Sequence, residues 1–125
     1  MTDKTAEIRR LNDLARTRPD TVNATWVVTQ GVAYLLAGEI PTGEPIPADV
    51  NARFNAFKQV IAAFSDWTED NDPFGEHDFG SITLFGEKLF WKIDYYHPDR
   101  DSHAPEPSSI ETCRRVLTVL LAEEY

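Results

Sequence analysis

Cysteine is almost absent from the chain: one, Cys113, in 125 residues. A lone thiol cannot form an internal disulfide, and it leaves too few thiolates for a cysteine-rich zinc site. It also fits a reducing compartment. Long apolar runs are missing as well. Nothing approaches the roughly 18 consecutive apolar residues of a membrane span, and the charged opening stretch from Met1 to Arg18 lacks a signal-peptide core. A soluble protein of the bacterial cytoplasm, with no membrane partner, is expected. Basic residues are scarce too: 12 Lys and Arg stand against 21 Asp and Glu, a net charge of −9. Direct binding to nucleic acid or anionic lipid is disfavoured, because both need cationic contacts with phosphates.

What is present suits one globular domain spanning 1–125. Hydrophobic content is 42%, above the disordered range, and three Trp, four Tyr and seven Phe supply large buried areas. Lys4–Thr17 reads as a helix capped by Asp3, with Ile8, Leu11, Leu14 and Ala15 inward and Arg9, Arg10, Asp13 and Arg16 on the other side. Thr25–Gln30 reads as a strand, followed by an apolar run, Val32–Ala37. Gly38–Pro47, with two Gly and three Pro, is a surface loop. Helical spacing returns from Asp49 to Phe64, with Phe54, Phe57, Ile61 and Phe64 on a stripe that core packing explains better than a partner groove.

Phe79–Phe85 and Lys88–Tyr95 flank Gly86-Glu87, which predicts a type II′ hairpin. In that register Ile82 faces Trp91, Phe79 faces Asp94, and His77 would lie opposite Tyr96. After a polar loop, His97–Pro107, the run Ser108-Ser109-Ile110-Glu111 resembles a capping box opening a last helix. Ile110, Cys113, Leu117, Leu120 and Leu121 would be its buried stripe, making Cys113 a core residue. The expected class is α+β: a small antiparallel sheet, strand plus hairpin, packed with three helices in the order α-β-α-β-β-α.

Only one segment looks specified for more than folding. Asp70 to Asp78 holds four carboxylates, one Asn and one His within nine residues, and it lies in a stretch from Lys58 to Lys88 that contains no intervening Lys or Arg. Asp66, Glu69, Asp70, Asp72, Glu76 and Asp78 make this region a candidate acidic binding surface. Calcium binding of the EF-hand kind fails, since Phe74 and Ser81 would stand at ligand positions. A weak, irregular cation site stays open, and no cofactor is expected. For catalysis, His77, Glu76, Asp94 and Tyr96 are the candidates. The predicted hairpin puts His77, Asp94 and Tyr96 on one face, where a carboxylate could orient the imidazole. No nucleophile or phosphate-cradling loop accompanies them. The bland alternative is a polar loop bracing the hairpin, and turn chemistry alone covers most of its residue types.

Asn71-Asp72-Pro73-x-Gly75-Glu76-His77-Asp78-Phe79-Gly80, Phe90-Trp91-Lys92-Ile93-Asp94-Tyr95-Tyr96, and Thr112 with Arg115-Val116-Leu117-Thr118 resemble the signature of domain-of-unknown-function family 3768. Leu121-Ala122-x-Glu124-Tyr125, Leu11-Asn12-Asp13 and Thr29-x-Gly31-Val32 match it too. Against that pattern, Gly38–Pro47 is an insertion and His97 replaces an Asp. The resemblance implies a small stand-alone protein of bacterial plasmids, integrative elements and phages, often near antirestriction-like genes. It assigns no activity. Two expectations follow. One is a binding protein that modulates a host protein, such as a nucleic-acid-processing defence complex, in the manner of an anti-CRISPR or antirestriction inhibitor. The other is a hydrolase centred on His77, metal-assisted or not.

Overall fold

The computed structural model describes residues 4–38, 43, 45–98 and 105–125. Asp3, half of the Gly38–Pro47 loop and the middle of the His97–Pro107 loop lie outside the described residues. Helix α1, Lys4–Thr17, buries Ile8, Leu11 and Ala15 at helical spacing, as expected. It buries Asn12 and Arg16 as well, so the polar side of the helix is not a solvent face. Pro19–Val22 form a short 3-10 turn, and Asn23 in the left-handed region (φ 56°) redirects the chain into strand β1, Ala24–Val28. The next apolar run is helix α2, Gln30–Ala37, whose first turn is capped by the Thr29 hydroxyl accepting from the Val32 N–H at 3.4 Å. Helix α3, Ala48–Ala62, buries Val50, Phe57 and Ile61.

Strands β2, Phe79–Leu84, and β3, Glu87–Tyr96, form the expected hairpin around a different turn. Phe85 (φ 52°) and Gly86 (φ 79°) are its two central residues, both left-handed, which is the type I′ pattern. Ile82 therefore pairs with Leu89 and Gly80 with Trp91, a slip of two residues from the predicted register. Because side chains alternate with period two, each keeps its predicted face. Gly80 is required where it stands, since a Cβ there would lie 2.4 Å from Trp91 Nε1 and 2.8 Å from the Phe64 ring.

The last expected helix is strand β4, Arg114–Leu121. Its burial alternates, with Arg115, Leu117 and Val119 inward, and Val116, Thr118 and Val119 favour extended backbone. Ser108 starts no helix; its hydroxyl donates to Glu106 Oε1 at 2.8 Å in a turn. Cys113 is fully buried in the expected core role, and burial pushes its thiol up. The α+β class stands, with three helices and four strands among the described residues. The sheet is mixed, in the order β1-β4-β3-β2, with β1 parallel to β4 and the other neighbours antiparallel. Leu11, Ala15, Val32, Leu36, Phe57 and Ile61 from the helices pack on Leu89, Trp91, Ile93, Leu117 and Val119 of one sheet face. No described helix is long and apolar enough to cross a membrane.

Candidate functional site

The 65–78 segment is held by two sets of bonds. The first is local. The Thr68 N–H donates to Asn71 Oδ1 (2.9 Å), the Asn71 amide donates to the Asp66 carbonyl (2.9 Å), and the Asp72 N–H donates to the Thr68 carbonyl (2.8 Å). Asp72 turns inward, its side chain only 6% exposed, and accepts the His77 N–H on Oδ1 at 2.9 Å. His77 sits in the left-handed region (φ 57°), a costly place for a non-glycine residue that the surrounding bonds enforce.

The second set comes from α1. Arg9 Nε donates to the Gly75 carbonyl at 2.6 Å. Asn12, fully buried, donates to the Glu76 carbonyl (3.0 Å) and the Tyr95 hydroxyl (2.8 Å) and accepts from Arg115 Nε (2.7 Å). Arg115 also donates to the Pro107 carbonyl, and burial holds its pKa below the usual arginine value. Asp13 Oδ1 is shared by His77 Nδ1 (2.8 Å) and Arg16 Nη2 (2.7 Å). Arg16 Nη1 then reaches the carbonyls of Ile61, Ala62 and Phe64, capping the end of α3. Its guanidinium lies 5.1 Å from the Trp67 ring and 5.5 Å from the Trp91 ring. Trp67 stacks flat on His77, ring centroids 3.7 Å apart.

The structure thus places His77 between Asp13 and Asp72, its Nε2 lying 3.6 Å from Asp72 Oδ2. It does not bring His77, Asp94 and Tyr96 together across the hairpin: pairing ends at Phe79 with Lys92, after which the Ile93 N–H bonds to the Asp78 carbonyl. Asp94 instead pairs with Lys92 at 3.1 Å, and Tyr96 is exposed. Glu76 and Asp78 are partly buried. Burial raises the pKa of both, and neighbouring carboxylates add to it: Asp78 and Asp72 for Glu76, Asp72 and Asp94 for Asp78. Burial also pushes Tyr95 up to about 12. No group of three His, Cys, Asp or Glu among the described residues is disposed to hold a metal ion. Three surface cavities of about 420 to 500 Å3 lie elsewhere, and His77 lines none of the three.

Facing outward are Asp66, Glu69 and Asp70, together with Phe74, which is 77% exposed. Sequence reasoning passed over Phe74 as a surface residue, and passed over Asn12, Asp13, Arg16 and Trp67 as the loop's supports. One signal was available. Arg9, Asn12, Asp13 and Arg16 fall at i, i+3, i+4 and i+7, a second stripe on α1 with its own face to bury.

Residues 28–124 match a family described as a protein of unknown function, DUF3768. The chain belongs to this family. The DUF3768 match takes in the braced loop and all of β2, β3 and β4, while α1, which supplies the bracing side chains, precedes it. No curated protein and no solved structure matches the chain.

Proposed function

We propose that the chain is a binding protein that modulates a host protein, docking through the 65–78 loop. The observation that carries this is Phe74. A large aromatic stands 77% exposed on a loop whose neighbours are fixed by side-chain and backbone bonds. An exposed aromatic anchor is a common centre of a binding hot spot, and a preformed loop loses little entropy on docking. Asp66, Glu69 and Asp70, exposed on the same loop, select a basic partner surface. The surface of a nucleic-acid-processing defence complex has that chemistry, which supports the anti-CRISPR or antirestriction role.

The His77 arrangement supports the same reading. Its ring is occupied by stacking and by two carboxylates that also fix the loop, so it serves as a brace. The test is capture of the partner from lysate of the host, comparing the natural chain with Phe74→Ser and with the triple variant Asp66→Asn, Glu69→Gln, Asp70→Asn. Truncating a hot-spot aromatic removes about 2 kcal/mol or more of affinity, so Phe74→Ser is expected to lose the partner. The triple variant is expected to slow association and to flatten its salt dependence. Capture unchanged in both variants would refute docking through this loop.

A further inference from the structure

β1 is the outermost strand of the sheet, and its free edge is intact. The Thr29 N–H donates to the Val119 carbonyl at 3.0 Å, with Val28 paired to Val119. In a parallel ladder both polar groups of a residue point to the same neighbour, alternating along the strand. Thr25 and Val27 therefore bond to β4, and Ala24, Trp26 and Val28 turn their N–H and C=O groups away from the sheet. No other backbone bond among the described residues uses those groups. The strand, Ala-Thr-Trp-Val-Val, carries no charge or proline, the usual means by which an edge is blocked.

A cavity lies on each side of this strand. One, of about 500 Å3, is walled by Ala24 and Trp26 with Pro19, Lys58, Gln59 and Ala62. The other, of about 420 Å3, is walled by Thr25 and Val27 with Tyr96, Pro98, Arg114 and Val116. The even residues of β1 face the first and the odd residues the second, so a strand laid beside β1 would send its own alternate side chains into one and then the other. Among the described residues no carboxylate lines either cavity. Each holds an exposed cation, Lys58 or Arg114, and neither pairs with a carboxylate among the described residues.

We propose that β1 accepts an extended, acidic segment of a partner polypeptide as a fifth strand. Main-chain bonds to Ala24, Trp26 and Val28 supply affinity, and the two cavities select apolar and acidic side chains. A second copy of this chain is the poorer occupant: its β1 would offer only uncharged side chains to the two cations, and each copy carries −9. This surface is separate from the Phe74 loop and stands whether or not that loop docks.

The test uses the full, isotope-labelled chain and a short synthetic peptide alternating valine with glutamate, with a valine–lysine peptide as control. The glutamate peptide is expected to bind and to slow amide exchange at Trp26 and Val28, leaving Val27 unchanged. Val28→Pro removes an outward donor and no β1–β4 bond, as prolines on edge strands do, and is expected to abolish binding with the melting curve preserved. If that variant fails to fold, Lys58→Glu with Arg114→Glu, both on the surface, is expected to weaken binding about tenfold or more. Equal binding of the lysine peptide, or no protection at millimolar peptide, overturns the proposal. Protection of Trp26 and Val28 in the free chain that grows with protein concentration overturns it in favour of a second copy.

Discussion

Two carboxylate- and amide-centred junctions tie the beginning of the chain to its end, and they differ in one respect. At Asn12, a fully buried amide joins α1 to Arg115 of β4, to Tyr95 of β3 and to the Glu76 carbonyl of the braced loop. At Glu124, an exposed carboxylate accepts from the Thr29 hydroxyl (2.6 Å) and from the N–H groups of Leu121 (2.8 Å) and Gly31 (3.2 Å), at the start of α2. Each makes three bonds. The inner junction excludes water, so a lost partner there leaves donors and acceptors with nothing to replace it, whereas at the outer one water takes over. The same number of bonds therefore carries very different energetic weight, and burial decides which junction sets the fold.

Removing the inner junction is the strongest test of that difference. Asn12→Ala strands the Arg115 Nε–H, the Tyr95 hydroxyl and the Glu76 carbonyl. At ~1–3 kcal/mol for each buried group left unsatisfied, the loss is expected to reach about 3 kcal/mol or more in chemical denaturation. A change below about 1 kcal/mol would show that water enters the site and would erase the contrast.

Asp78→Asn probes the partly buried region between the two. The folded-state pKa of Asp78 is raised, chiefly by burial, so the folded chain binds its proton more tightly than the unfolded chain does. The stability this gives is fully present below the ordinary Asp value and is lost as pH rises through the raised one. At neutral pH the charged carboxylate opposes folding, and Asp78→Asn is expected to raise the melting temperature. That gain should vanish in acid, below the usual carboxylate range. A gain that persists there would mean that the amide adds contacts of its own.

Glu124→Gln should give the smallest effect. Its pKa is lowered, first by the Thr29 hydroxyl and then by the Leu121 N–H. Its contribution is present above the ordinary Glu value and is lost as pH falls through the lowered one. A slight drop in melting temperature at neutral pH, fading with added salt and absent in acid, is expected. A drop as large as that of Asn12→Ala would place the outer junction on an equal footing.

The same division explains what could be read from the residues. Wherever the period of apolar residues was unambiguous, the faces came out right: the α1 stripe of Ile8, Leu11 and Ala15, and both faces of the hairpin despite its two-residue slip. β4 was misread because Cys113, Leu117 and Leu121 recur every four residues, a spacing that fits a helix and a strand alike. Arg115 sits on the core face between two of them and hid the alternation, since a charged residue signals solvent by default. The site suffered in the same way. His77 does sit in a polar cluster, yet its partner Asp13 comes from α1, which only the tertiary fold brings near, and Trp67 reaches it from the far end of the same irregular loop. Its expected neighbours Asp94 and Tyr96 were lost because pairing stops at Phe79 and the chain turns through the left-handed region at His77 itself.

The order of the sheet also has a bearing on how the chain comes to fold. β4, the last strand in sequence, lies between the first strand and the hairpin. Emerging from a ribosome, β1 can find no neighbour until β4 has been made, and the hairpin must wait with one side open. Pairings of such long sequence separation pay their loop-closure entropy before any contact rewards it, which slows the rate-limiting step. Helix α1 and the hairpin can form early, but the sheet closes only when the final strand threads into the gap that they leave. A nascent chain halted before Arg114 would leave β1 unpaired and the β3 edge open at once, a state that invites aggregation and gives chaperones something to hold.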